Sequence, residues 1–116
     1  MTKKNWESRS VCPENFTGEK GKGGMATEGS AAYNARELGQ GWKVNPYIVL
    51  NAGETAVLAD IKGEGAIKHF WITDSAKAGR LLILRIYFDD HKNPAVEAPL
   101  SDFFAKLRKR KNEKKA

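Results

Sequence analysis

Short apolar runs follow one another from Trp42 onward. Four of them, KVNPYIVL, ETAVLADI, AIKHFWIT and RLLILRIYFDD, start at residues 43, 54, 66 and 80. They are rich in Val, Ile, Leu and aromatic residues, and glycine-containing turns separate them, which is typical of β-strands. A fifth short strand is expected at residues 95–98. No strongly helical segment alternates with these runs, so the pattern predicts an all-β sandwich or barrel.

The fourth run has the clearest strand periodicity. Its alternate positions place four apolar residues on one face: Leu82, Leu84, Ile86 and Phe88. Arg85 and Asp89 fall on the other face, which gives the period of two expected of a half-buried strand. Leu81 and Ile83 interrupt that polar face, so we expect this end of the strand to be covered on both sides.

Residues 1–41 have a different composition. They hold most of the eleven glycines, in segments such as TGEKGKGGM and ELGQG, and show almost no apolar periodicity. We therefore predict three regions. A Gly-rich N-terminal segment spans residues 1–41, a β-rich domain spans residues 42–104, and a basic tail spans residues 105–116. The tail has too few apolar residues to dock firmly, so we expect it to be disordered.

The positive charge of the chain comes from this tail. The net charge is +6, and residues 105–116 contribute seven of the 20 bases but one of the 14 acids, which leaves 13 of each in the rest. Nucleic-acid binding through residues 106–115 is therefore an alternative function, of the salt-sensitive, sequence-independent kind. The neutral body and the absence of aromatic residues from the tail argue against it.

Cofactor and metal motifs are absent from the sequence. Lys22 follows a glycine as in a phosphate-binding loop, but Gly23 stands where that loop needs a hydroxyl. His69 and His91 lie 22 residues apart without a cysteine partner, since Cys12 is the single cysteine. We expect no metal, no cofactor and no disulfide within the chain, and we interpret His69 as a structural histidine with its hydrogen bonds satisfied.

Paired carboxylates could hydrolyse a glycosidic bond. Asp89 and Asp90 are neighbours expected on opposite faces of a strand, which makes them a poor pair. Glu97 and Asp102 could flank a cleft, but carboxylates that cap a turn explain them equally well. The sequence therefore identifies no catalytic dyad.

Aromatic residues in and beside the runs could stack on sugar rings. For Trp71, between Phe70 and Ile72, packing within the protein is the favoured interpretation. For Trp42, beside a Gly-rich loop, sugar contact and packing are equally acceptable.

An ordered series of motifs carries a family resemblance. The segments SRSVCPENFTGEKGKGGMA, GQGWKVNPYIVLNAGETAVLADIKGEGAIKHFWIT, LLILRIYFDD and P-x-V-E-x-P-L-x-DFF, between Ser8 and Phe104, resemble the N-terminal region of glycoside hydrolase family 172. The resemblance implies a partial jelly roll, that is, a β-sandwich, and enzymes that act on α-linked fructofuranose, difructose dianhydrides or D-arabinofuranose. It also implies metal-independent retaining catalysis and assembly into homotrimers or multiples of trimers.

The same resemblance leaves this chain without catalytic residues. The catalytic glutamates of the family are expected beyond DFF, where this chain has Ala105 and the basic tail, and Ser101 stands where members carry glycine. We expect a truncated, inactive portion of a furanoside hydrolase. A small carbohydrate-binding or assembly module is the alternative. The candidate substrate contacts lie in the Gly-rich motif and beside it: Glu14, Asn15, Thr17, Lys20 and Trp42.

Location is predicted from the absence of two signals. No apolar stretch follows the charged N-terminus as in a signal peptide, and no run approaches the ~20 residues needed to span a bilayer. We expect a cytoplasmic protein that is not bound to a membrane.

Overall fold

The structure is a computed structural model that describes residues 5–75 and 78–105. The chain divides into two compact units, Met1–Gly65 and Ala66–Ala116. The division falls inside the predicted β-rich region, residues 42–104, and each unit is described by itself. Most of the basic tail, residues 106–116, lies outside the described residues.

The first unit is built from turns. Between Gly29 and Leu38, several backbone N–H groups donate to carbonyls three residues earlier, and the Ala31 N–H donates to the Val44 carbonyl at 2.8 Å. Gly29 has φ 151°, and a Cβ there would lie 2.5 Å from both the Val44 oxygen and the Asn45 Cβ. Only glycine fits this crossing, because any side chain would push the two segments apart.

The second unit contains the regular structure. Strand β1 spans Ile83–Ile86 and strand β2 spans Val96–Pro99, and they pair antiparallel with Leu84 opposite Ala98. Helix α1, Leu100–Phe103, is a single turn that begins directly after Pro99. The Leu100 N–H donates to the Leu82 carbonyl at 2.8 Å, so the hairpin fixes where this turn starts.

The predicted period of two in the fourth run is confirmed over its central part. Leu84 is buried and its neighbours Ile83 and Arg85 are exposed. The expected cover on both sides is wrong, because Leu81 is 81% exposed and Ile83 is 46% exposed. Among the described residues, no second layer buries that face.

The strand ends earlier than the sequence predicts. Asp89 and Asp90 have φ of 53° and 58°, and the His91 N–H donates to the Phe88 carbonyl at 3.0 Å. Two successive positive φ values are the signature of a type I′ turn. The prediction that the two carboxylates extend a strand is therefore wrong. Aspartate tolerates the left-handed region better than most residues, and here the local turn prevails over strand pairing.

Residues 43–50, 54–61 and 66–73 form no β-ladder within the described part of the chain. Most of their apolar side chains are exposed, with Val49 at 74%, Val57 at 72% and Trp71 at 70%, whereas Val44 is buried. The interpretation of Trp71 as a packed side chain is thus wrong. A run with strand composition needs a neighbouring strand for its backbone groups, and the described residues supply none to these three.

The apolar core is correspondingly small. In the described ranges, four apolar side chains are buried, Ala35 and Val44 in the first unit and Leu84 and Leu100 in the second. The regular structure in the described residues consists of two paired β-strands and one helical turn. The all-β class is therefore supported.

Replacing Asp90 with glycine should stabilise the hairpin. Glycine adopts positive φ without the steric cost of an L-residue, so we expect a gain of about 0.5–1 kcal/mol in local stability. Amide exchange at Ala95 and Leu100, whose N–H groups bond β1 and its extension, should slow by roughly two- to fivefold. The control is Asp60→Gly, which lies outside the hairpin and should not alter these rates. Faster exchange in Asp90→Gly would mean that the aspartate side chain itself holds the turn.

Candidate functional site

The Gly-rich motif forms a turn organised by one buried side chain. Asn15 is 7% exposed, and its amide nitrogen donates to the carbonyls of Ser10 at 2.9 Å and Glu19 at 3.0 Å. Its amide oxygen accepts the Glu19 N–H at 3.2 Å. All these bonds are internal, so in this structure the Asn15 side chain shapes the turn.

The same turn holds a carboxylate oxygen without a partner. The Oε2 atom of Glu14 is buried and accepts no hydrogen bond in the described structure. Nearby, the Asn45 amide donates to the Pro13 carbonyl at 2.8 Å and anchors the turn to a later segment of the same unit. A buried acceptor without a donor is unusual in a folded protein.

The remaining predicted substrate contacts, Thr17, Lys20 and Trp42, make fewer interactions with the Asn15 turn. Thr17 is exposed, and Lys20 donates to Glu7 at 3.2 Å. Hydrogen bonds from Arg9 and then from Lys20 lower the pKa of Glu7. Trp42 is 54% exposed and makes no side-chain hydrogen bond or ring contact within the described residues. The structure thus groups Glu14, Asn15 and Thr17 in one turn, and their contact with substrate stays a prediction.

In the second unit a cavity of about 290 Å³ lies between residues 72–74 and α1. We call it the Asp74 cavity. Three polar and three apolar residues line it: Thr73, Asp74, Ser101, Ile72, Leu100 and Phe104. The sequence analysis noted Ser101 only as a departure from a family pattern and did not consider Asp74. The two lie 27 residues apart, and no local pattern links them.

Gly79 brings the two walls of the Asp74 cavity together. Its carbonyl accepts the Ser101 N–H at 3.0 Å, and a Cβ at this position would lie 2.8 Å from the Asp74 Oδ2 and 3.1 Å from the Ser101 Cβ. Glycine is thus what allows the carboxylate and the serine to approach. The Asp74 carboxylate forms no hydrogen bond or ion pair with any residue that the structure describes.

An aromatic cluster supports the far end of the cavity. The ring of Phe104 lies 5.4 Å from that of Phe70 and 5.1 Å from that of Phe103, measured between centroids. Tilted and edge-to-face contacts at such distances are favourable beyond simple burial. Phe104 remains 43% exposed, so part of its ring is available to the cavity.

Glu97 and Asp102 are engaged in ion pairs. Glu97 lies opposite Arg85 across the ladder and accepts from its Nε at 2.6 Å, which raises the pKa of Arg85. Both carboxylate oxygens of Asp102 accept from the Arg80 Nη1, at 2.7 and 2.8 Å. In the structure these two acids form ion pairs with arginines. They act neither as a catalytic pair nor as caps of a turn.

Metal ligands do not converge in the described part of the chain. No group of three or more His, Cys, Asp or Glu side chains there is placed to hold an ion. His69 is exposed and makes no side-chain hydrogen bond to a described residue, so its interpretation as a satisfied structural histidine is wrong. The run that carries it lacks the neighbouring strands that would have enclosed it.

The comparison with family models assigns the chain to a protein family. The model described as the GH172 first beta-sandwich domain matches residues 26–115. The protein is thus built on a glycoside hydrolase β-sandwich. More particularly, it belongs to glycoside hydrolase family 172 and corresponds to the N-terminal region of that family. The match includes the Asp74 cavity and Trp42, whereas Glu14, Asn15, Thr17 and Lys20 precede it.

No curated protein matches the chain. Across the described ranges, no helix has the length and apolar character required to cross a membrane.

Replacing Asn15 with alanine should open the Gly-rich turn. The change removes three part-buried hydrogen bonds to the backbone of Ser10 and Glu19, each worth about 0.5–1.5 kcal/mol. Amide exchange reports this directly, because the Glu19 N–H loses its acceptor and should exchange near the rate of an unfolded chain. Thr17→Ala is the matched control in the same turn. Unchanged protection of Glu19 in the Asn15 variant would show that the turn does not depend on this side chain.

Proposed function

We propose that this chain is a substrate-facing, non-catalytic part of a family 172 glycoside hydrolase that acts on furanosides. The family match supports the glycoside hydrolase context. The proposed specificity for furanosides, either α-linked fructofuranose or D-arabinofuranose, is based on the resemblance of the sequence motifs to this family. Cytoplasmic location stays a prediction from the sequence.

One observation carries the non-catalytic part of this proposal. Among the described residues, a single carboxylate, that of Asp74, lines the Asp74 cavity, and glycoside hydrolysis generally requires two, either about 5–5.5 Å apart for retention or farther apart for inversion. Asp102, beside Ser101 in α1, is held by Arg80, and Glu97 is held by Arg85. Each of these two acids is therefore already engaged by an arginine side chain and is not paired with a second carboxylate.

The exposed apolar runs support a role within a larger assembly. Residues 43–50, 54–61 and 66–73 have strand composition and lack ladder partners in the described structure. We propose that they complete a jelly roll when further strands pair with them, and that the assembly is a homotrimer or a multiple of trimers. Burial of side chains such as Val49 and Val57 would contribute about 1.5–3 kcal/mol each.

A carbohydrate-binding module is the second candidate function. The Asp74 cavity favours it, because hydroxyls, a carboxylate and an aromatic ring line one small space. The two candidates share sugar contact and differ in whether the chain acts within an enzyme. Nucleic-acid binding depends on residues 106–115, which lie outside the described residues.

Hydrolysis by the isolated chain should be undetectable. We expect no release of the aryl group from aryl α-D-fructofuranosides or aryl α-D-arabinofuranosides above the buffer rate, since one carboxylate cannot act as both acid and nucleophile. A fluorogenic assay of the purified protein measures this. Turnover that is lost in Asp74→Asn and kept in Asp60→Asn would place a working active site in this chain and overturn the proposal.

A further inference from the structure

We infer that the Asp74 cavity is a binding site for one neutral sugar ring, held through two neighbouring hydroxyls. The inference rests on the proposed function for its choice of furanosides as probes. It differs from the sequence prediction, which placed sugar contact in the Gly-rich motif.

The polar half of the cavity suits a polyol. The two oxygens of the Asp74 carboxylate can each accept from one of two adjacent hydroxyls, and no described residue occupies them. The Thr73 hydroxyl can donate or accept. The Ser101 hydroxyl donates to the Asp102 Oδ1 at 3.4 Å and keeps its lone pairs to accept from a sugar hydroxyl. The described lining has one carboxylate and no cation, which disfavours phosphorylated or carboxylated sugars.

The apolar half suits the C–H face of a ring. Ile72, Leu100 and Phe104 supply the apolar part of the lining. Sugar rings present apolar C–H groups that pack on such surfaces, most favourably on an aromatic ring. This division disfavours a bare metal ion, which would need several oxygen ligands around it.

The volume sets the size of the ligand. Pockets for drug-sized molecules span roughly 300–1,000 Å³, so a cavity of about 290 Å³ lies at the small end. It accommodates one ring with its substituents and not an oligosaccharide. The remaining units of a longer substrate would extend beyond the opening.

The walls are positioned before any ligand binds. The Gly79 carbonyl holds the Ser101 N–H, Arg80 holds Asp102 in α1, and the Phe70 contact orients Phe104. Because these walls are already fixed, less conformational entropy is lost when a ligand binds.

A titration of the full ¹⁵N-labelled chain with methyl α-D-arabinofuranoside tests the site. We expect saturable shifts of the Asp74, Gly79 and Ser101 amide signals. Asp74→Asn should weaken binding about tenfold, because it replaces a charged acceptor with a neutral one. Asp60→Asn, an exposed aspartate in the other unit, is the matched control and should leave the affinity unchanged. D-Arabinose 5-phosphate should bind more weakly than the neutral probe.

A second variant guards against a folding effect. Ser101→Ala keeps the Cβ and removes only the hydroxyl, and we expect binding weakened roughly threefold with the hairpin amide signals unmoved. Three results overturn the inference: no saturable shift at the cavity, shifts confined to residues 14–20, or an affinity that Asp74→Asn does not change. None of these results bears on the proposed lack of hydrolysis, because the enzymatic assay tests that separately.

Discussion

Backbone hydrogen bonding between strands is the constraint on which the structure of this chain depends. Every N–H and C=O that leaves water needs a partner, and a strand obtains its partners only from a neighbouring strand. β1 and β2 satisfy each other across four residue pairs, and their ladder continues into the bond between Leu100 and Leu82. Where this pairing exists, side chains such as Leu84 become buried. Where it is missing, apolar side chains stay exposed, as Val49 and Val57 do.

The Asp74 cavity is a consequence of the same pairing. The ladder fixes Pro99 opposite Ile83, so α1 must begin at Leu100, beside the segment that carries Gly79. The bond from Ser101 to Gly79 then closes one wall, and the lack of a side chain on Gly79 leaves room for the Asp74 carboxylate. A hairpin of two short strands thereby determines the distance between chemical groups that are far apart in sequence.

In the second unit, two of the carboxylates near the Asp74 cavity are held by arginines, and Asp74 itself lines the cavity. Arginines neutralise Asp102 and Glu97 on the surface of the hairpin and α1. Exposed ion pairs of this kind contribute little to stability, about 0–1 kcal/mol, so their main effect here is on orientation. The Arg80–Asp102 pair ties α1 to the segment before β1, and the Arg85–Glu97 pair joins the two strands. Asp74 is left as the acceptor that faces the cavity.

The sequence by itself determined the all-β class, the family and the inward face of the fourth run, because these follow from residue type and from a period of two. It also placed the candidate contacts Glu14, Asn15 and Thr17 in a single motif, which the structure folds into one turn. It could not identify the Asp74 cavity, since Asp74, Gly79 and Ser101 meet only through hairpin pairing. Nor could it show that Asp89 and Asp90 form a turn, or that Glu97 and Asp102 are paired with arginines. Local patterns record which face of a segment is apolar, whereas long-range hydrogen bonds decide which segments become neighbours.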